Sequence, residues 1–389
     1  MRRLRIAERP DWRQQADRLG FRFHTIDGAA YWDESACYAF SLREIEDGIE
    51  QATRDVHAMA MDLVAQAVDS EELLERLCIP PTHWDWVRAS WKRSDPHLYG
   101  RMDFAYDGTG AARLYELNYD TPTALYEAAY FQWLWLEQQV AAGRLPAGAD
   151  QFNTIQELLC EAFAALALAG RIGKRLHFAA LRDTLEDQGT IEYLRDCAHQ
   201  AGIATTTLAI EDIGISEDGW FTDLDDRVIR TLFKLYPLEW MMRDGFGLCL
   251  AMDTMQLIEP AWKAILSNKG VLPLLWERHP GHPNLLPARF DDDPDRPVAT
   301  GWVRKRLFSR EGANIEMATW QGERIRSPGT YAQAPAILQA FHPLPSFDGN
   351  HPVVGSWVVA DQPAGIGMRE DATLITRNTS RFVPHAILD

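Results

Sequence analysis

Hydrophobic and polar positions divide the chain into a helical first part, an alternating middle and a β-rich last third. Ser41 precedes a long run of helical periodicity with Glu44 three residues on, a capping-box spacing, so residues 41–78 read as helix. Within that span a second stretch, Ser70 to Cys78, stops at Pro80-Pro81. Trp84, Trp86 and Trp91 follow at helical spacing and read as core or lobe-packing residues. Ala124 to Ala142 reads as helix, broken by Gly143 and Pro146, and residues 154–169 form an Ala- and Leu-rich helix. From 175 the pattern alternates: strand Arg175 to Leu181, helix Thr190 to Ala201, strand Ala204 to Ile210, strand Val228 to Tyr236. That βαβ rhythm predicts an α/β lobe. Asp291-Asp-Asp-Pro-Asp295 reads as a loop or lobe boundary, and strand signals follow around 302–308, 314–320, 353–360 and 366–376. There is no internal repeat. The expected class is mixed, α+β with an α/β part.

The polar residues that break these patterns carry the chemistry. Asp107-Gly108-Thr109-Gly110 separates two short strands, Arg101-Met-Asp103 and Glu116-Leu-Asn118. With Gly108-Thr109 at the tip of a II′ turn, Asp107 pairs with Gly110, Asp103 falls opposite Leu114, and Arg101 opposite Glu116. Period-two alternation then places Arg101, Asp103, Glu116 and Asn118 on one face, with the two carboxylates as diagonal neighbours. Two carboxylates and an amide oxygen suit Mg²⁺, which leaves ligand positions for water and substrate phosphates. An adjacent arginine could hold a phosphate or a developing oxyanion. The same pattern also describes a surface hairpin with cross-strand ion pairs.

Composition narrows the setting. The chain is 46% hydrophobic, with 14 Trp, 11 Tyr and 16 Phe among 389 residues, enough for large cores. No apolar run reaches the length of a membrane span, and the basic start lacks an apolar signal region, so no membrane partner is expected. Five cysteines (37, 78, 160, 197, 249) have neither zinc-site nor disulfide-framework spacing, which fits a reduced, cytoplasmic compartment. A net charge of −17 argues against nucleic-acid binding and permits a cationic substrate.

Other nucleotide and catalytic signatures fail: there is no Gx₄GK[ST] loop, no GxGxxG opening a helix, and no GxSxG elbow. His279 and His282, with Pro280 between them, read as loop. In Val303-Arg-Lys305-Arg-Leu-Phe-Ser-Arg310-Glu-Gly312-Ala-Asn-Ile315, a strand carries a lysine inward and a basic glycine turn follows, able to close over polyphosphate. Lys269 precedes the apolar Val271 to Trp276 and could reach a phosphate as a point charge. Singly each lysine also reads as a solvated surface residue.

Together these segments resemble the glutathionylspermidine synthetase family, and within it the short bacterial acid–amine ligases. The likeness is carried by Tyr115-Glu-Leu-Asn-Tyr-Asp-Thr-Pro-Thr-Ala-Leu125, Lys234-Leu-Tyr-Pro-Leu-Glu-Trp240, Lys305 to Ile315, Phe347-Asp-Gly349, Gly367-Met-Arg-Glu370 and Ile375 to His385, in the family's order. The resemblance implies an ATP-grasp fold, with nucleotide between two α+β lobes and an α/β lobe beside them. It implies one synthetase-like module over 1–389, the α/β lobe near 170–240 and a β-rich ATP-binding part over 260–389. By the same resemblance Asp103, Glu116 and Asn118 would bind magnesium, and Arg101 would hold the transferring phosphoryl group and the carboxylate it activates. Lys269 and Lys305 would be nucleotide-binding lysines, Arg310 and Gly312 the mobile phosphate loop, Gln339 part of the adenine-contacting linker, and Arg369 a phosphate-facing arginine. Thr121 and Thr123 stand where the family contacts glutathione, and Glu186-Asp187 loosely match acidic residues that hold its amino end. The family's amidase part has no counterpart here, so amide hydrolysis is not expected.

The implied activity is an ATP- and Mg²⁺-dependent ligase that joins an acid, such as a glutathione-like peptide, to a polyamine or other amine through an acyl phosphate. A nucleotide-binding partner or regulatory protein without turnover, and a kinase-like phosphorylation of the acid alone, are the alternatives.

Overall fold

The computed structural model describes residues 1–26 and 28–388. The capping box at Ser41 forms: its backbone N–H donates to Glu44 Oε2 at 2.7 Å, and the Glu44 N–H donates to Ser41 Oγ at 3.3 Å. Two of the donors left open at a helix start are thereby satisfied. The helix opens as a π-helical run, Glu44–Glu50, and continues as Gln51–Ala67, burying Val56, Met59, Ala60, Leu63 and Val64. A separate turn-and-a-half, Glu71–Arg76, is capped by Ser70 Oγ.

Three sheets of four or five strands dominate. The central one is antiparallel, in the order Arg381–Val383, Gln362–Asp371, His351–Val359, Tyr99–Ala105, Arg113–Asn118. The predicted hairpin is therefore its edge, backed by two long buried strands. Within those strands Gly355 pairs with Gly367, and a Cβ at Gly355 would meet Arg101 Cδ at 3.0 Å. The missing side chain leaves a trough in which Arg101 lies.

The second sheet is parallel, in the order Gln256–Ile258, Thr231–Leu235, Leu176–Ala180, Thr205–Ala209. Its inner strands, Leu-His-Phe-Ala-Ala and Thr-Leu-Phe-Lys-Leu, are buried throughout, as a sheet covered on both faces requires. Helices Ile155–Leu168 and Leu185–Gln200 share a core with this sheet through Phe163, Phe178 and Leu194. The second helix begins five residues before its expected start. Gly189, inside it, is a close-packing residue: a Cβ there would meet the Phe23 ring at 2.9 Å. Strand order reverses between Leu176–Ala180 and Thr231–Leu235, and the crevice beyond the carboxyl ends at such a reversal is where α/β sheets hold ligands.

The third sheet, antiparallel, runs Ala288–Phe290, Ala336–Ala340, Trp302–Arg306, Glu316–Ala318, Arg324–Arg326. The acidic stretch at 291–295 is a loop, as expected, and Asp291 takes Arg304 Nε at 2.5 Å. The chain ends meet: Arg2–Arg5 and His385–Ile387 flank Ala36–Phe40. All five cysteines are free, and no helix described is long and apolar enough to cross a membrane.

Candidate active site

The hairpin supplies the first half of the site, in a different register from the expected one. Arg101 pairs with Asn118, Asp103 with Glu116 and Phe104 with Leu114, and Tyr115 is bulged out between the last two pairs. The strands end at Ala105 and Arg113, so the connection is a longer loop rather than a two-residue turn. Within it Asp107 Oδ1 accepts from the Thr109 N–H at 2.8 Å, an Asx-type closure that takes the place of the II′ turn. The longer loop and the bulge each shift the register by one residue. Asp103 and Glu116 consequently stand directly opposite each other instead of diagonally. Arg101 is not opposite Glu116: its guanidinium forks onto Asp103 of its own strand, at 2.7 and 3.0 Å, and donates to the Thr123 carbonyl at 2.6 Å. Burial would pull its proton affinity down, but Asp103 and Glu116 together hold it above the ordinary value. Asn118 Nδ2 donates to Asp103 Oδ2 at 3.3 Å.

The third sheet closes over this edge. Lys269 Nζ meets Glu116 Oε1 at 3.0 Å and also donates to the Ser309 carbonyl. Lys305 Nζ donates to Gln339 Oε1 at 2.7 Å and to the Tyr115 carbonyl at 3.0 Å, and Gln339 Nε2 donates to the Leu114 carbonyl at 3.1 Å. The bulge and the third sheet are thus stitched together by the residues predicted to face nucleotide. Burial pushes the Lys305 ammonium down to about 8.

Arg310 crosses the cleft, donating to Thr121 Oγ1 at 2.8 Å and to Glu239 Oε1 at 2.7 Å. Gly312 has φ +71°, and a Cβ there would meet the Thr376 carbonyl at 2.6 Å, so the loop lies against the C-terminal segment. Arg369 donates to the carbonyls of Arg377 and Asn378, while its Nε is buried without a partner.

Arg101, Asp103, Glu116, Asn118, Thr121, Thr123, Lys305, Arg310, Gly312, Gln339 and Arg369 all line one cleft of about 1180 Å³, counted out to its open mouth. Lys269 stands behind Glu116. Glu186 and Asp187 are not part of its lining. They occupy the first turn of helix Leu185–Gln200. Burial raises the proton affinity of both, Asp187 to about 7. Among the described residues no group of three or more His, Cys, Asp and Glu side chains is arranged to hold a metal. The hairpin offers two facing carboxylates and an amide, hard oxygen donors of the kind magnesium takes, and Asp103 and Glu116 each carry a cationic partner that an ion would replace.

Several neighbours escape the sequence reading. Glu127, fully buried, accepts from Tyr31 Oη at 2.5 Å, and burial lifts it to about 8. Nothing in its spacing separates it from a helix-surface glutamate. Asp120 forms a buried ion pair with Lys234 and accepts from the Leu238 N–H at 2.8 Å. The signal was available there, in a lysine interrupting the otherwise apolar Thr231–Leu235 strand.

A family model, glutathionylspermidine synthase preATP-grasp, matches residues 3–388. A Haemophilus influenzae protein whose name assigns it provisionally as an acid–amine ligase is 41% identical, with 97% of each chain covered. The trypanothione synthetase of Crithidia fasciculata is 28% identical over 89% of this chain and 55% of that protein. The bifunctional glutathionylspermidine synthetase/amidase of Escherichia coli is 25% identical over 96% of this chain and 63% of that protein. A glutathione synthetase-like effector from Globodera pallida shares the fold, with TM-score 0.57 at 12% identity, covering 98% of this chain and 99% of that one. Near-complete coverage by the family model, together with the 41% relative, shows that the chain belongs to the glutathionylspermidine synthase family and is an enzyme of its ligase class.

Proposed function

We propose that this protein is an ATP- and Mg²⁺-dependent carboxylate–amine ligase with an ATP-grasp arrangement, acting as one synthetase-like module over 1–389. The observation that carries the reading is the convergence of the hairpin carboxylates, Lys305, the Arg310 loop and Arg369 on one cleft, with Lys269 at its edge. Asp103, Glu116 and the amide oxygen of Asn118 would hold the magnesium, which when bound neutralises charge on the phosphates. Lys269 and Lys305 would meet the nucleotide phosphates, and the base would lie among Val303, Met317, Phe341 and Ile375, apolar residues that cluster on the cleft wall. Gln339, engaged by Lys305, would fix the strand leading to that linker.

A carboxylate is a poor electrophile, and phosphorylation gives it a stable leaving group. Arg101, once released from Asp103, would orient the acid and stabilise charge on the transferring phosphoryl group, with Arg369 and Arg310 assisting. Thr121 and Thr123 would position a peptide-like acid, and Glu186 and Asp187 its amino end. The amine must attack unprotonated. That requires a local acceptor for its proton or nearby cations that lower its proton affinity. Closure of the Arg310–Gly312 loop would exclude water, which otherwise hydrolyses the acyl phosphate.

The substrate pair we favour is a glutathione-like peptide with a polyamine or other amine. The acidic total charge agrees with a cationic second substrate and with no nucleic-acid partner. The test is a screen of peptide acids against polyamines, reading phosphate and product mass. Phosphate release that requires both partners is expected. If no pair raises release above background, the proposal fails.

A further inference from the structure

Glu239 belongs to none of the roles above, yet it sits where the parallel sheet's strand order reverses, just beyond the carboxyl end of Thr231–Leu235. It is 6% exposed. One of its carboxylate oxygens takes Arg310, and the other, Oε2, is buried with no partner; the Nε of Arg310 is likewise buried and unpartnered. The short helix that carries it, Leu238–Met241, cannot drift, because Asp120 at the end of the hairpin holds the Leu238 N–H and Lys234. Arg310, by contrast, belongs to a loop with left-handed residues at Glu311, Gly312 and Asn314. A carboxylate on an anchored helix therefore faces a guanidinium on the loop that, in the ligase reading, moves to the phosphates.

Arg310 cannot give its full charge to Glu239 and to a polyphosphate together. If it turns to phosphate, Glu239 is left buried with both oxygens open, across from Thr121, which shares Arg310 with it, and an unpaired buried carboxylate is costly. We propose that Glu239 is an exchange site: Arg310 vacates it for nucleotide, and a cationic nitrogen of the second ligand then takes its place. Nucleotide and nitrogen-bearing substrate thus bind in order, each favouring the other, since a coupling between two sites is reciprocal. The nitrogen has two possible sources of one chemistry, the amino end of the acid or the amine substrate. The inference rests on the ligase reading and adds to it an order of binding and a residue that enforces it.

The experiment is calorimetric titration of the full chain with magnesium and a non-hydrolysable ATP analogue, then with spermidine or glutathione, for wild type and Glu239→Gln. Glu239→Gln should bind the nucleotide about 5- to 10-fold tighter, since Arg310 is no longer sequestered. In wild type one probe should bind at least about 5-fold tighter once nucleotide is saturating, and Glu239→Gln should lose that gain. A gain for spermidine alone assigns the nitrogen to the amine, and a gain for glutathione alone assigns it to the acid. Unchanged or weaker nucleotide binding in Glu239→Gln overturns the exchange, as does the absence of a nucleotide-dependent gain for both probes. If wild type binds no nucleotide, the ligase reading itself falls. Glu239→Asp, which withdraws the carboxylate without removing its charge, should tighten nucleotide binding less; it serves if the glutamine variant does not fold.

Discussion

Lys305 shows most directly how burial sets the chemistry of a single side chain. With its folded value lowered to about 8 from 10.5, it is charged below that pH and neutral above it. Its attraction for phosphate is present below pH 8 and lost as pH rises through it. Between about 8 and 10.5 the unfolded chain binds this proton more strongly, so this group's contribution to stability rises with pH across that window. We expect nucleotide affinity to fall about tenfold per pH unit above 8 and binding near pH 8 to take up a proton. Calorimetry in two buffers of different ionisation enthalpy measures both, and a flat affinity into the alkaline range would remove Lys305 from the phosphate site. At the hairpin, Asp103→Ala or Glu116→Ala should lower turnover about 100-fold or more through loss of the metal. Full activity at saturating magnesium in either variant would exclude that residue as a ligand. These residues were legible because a polar side chain on the inward face of an apolar strand needs a reason to be there. Their partners were not legible: that Arg101 forks onto Asp103 rather than Glu116 depends on a bulge no local pattern announces.

Elements were legible where periodicity and caps agree, as at Ser41 and Ser70, and less so where one residue serves two purposes. The helix expected from Thr190 already runs from Leu185, with Gly189 as a packing notch for Phe23, and Tyr115, inside a strand expected to be regular, is the bulge that turns its carbonyl to Lys305. The short helix Leu238–Met241 is tied at its start to Asp120, which also forms the buried pair with Lys234. Removing one partner of such a pair leaves an uncompensated charge and costs about 3–5 kcal/mol, whereas removing both together costs much less. Lys234→Met should therefore lower the denaturation midpoint sharply, and Asp120→Asn with Lys234→Met should recover a good part of the loss. Equal destabilisation by the single and double variants would show that packing, not charge, holds the helix to the hairpin.

At the scale of the whole molecule, sequence spacing could not give the order of the strands, because the hairpin's sheet partner His351–Val359 lies more than two hundred residues further along the chain. The cleft exists only after that pairing brings the third sheet and the C-terminal segment to the hairpin. Gly312 is the point where this assembly meets the Arg310–Gly312 loop. Its left-handed φ of +71° would cost another residue about 1 kcal/mol, and a Cβ would press on the Thr376 carbonyl at 2.6 Å. Gly312→Ala should therefore lift the loop off the C-terminal segment without touching the hairpin. Because a lifted loop admits water to an acyl phosphate, we expect phosphate release to exceed amide formation, where the wild type should couple them one to one. Measuring both products in the same reaction separates this from simple loss of rate. A slower variant that still couples the two would mean that the loop sets the speed of the reaction and that another part of the cleft keeps water out.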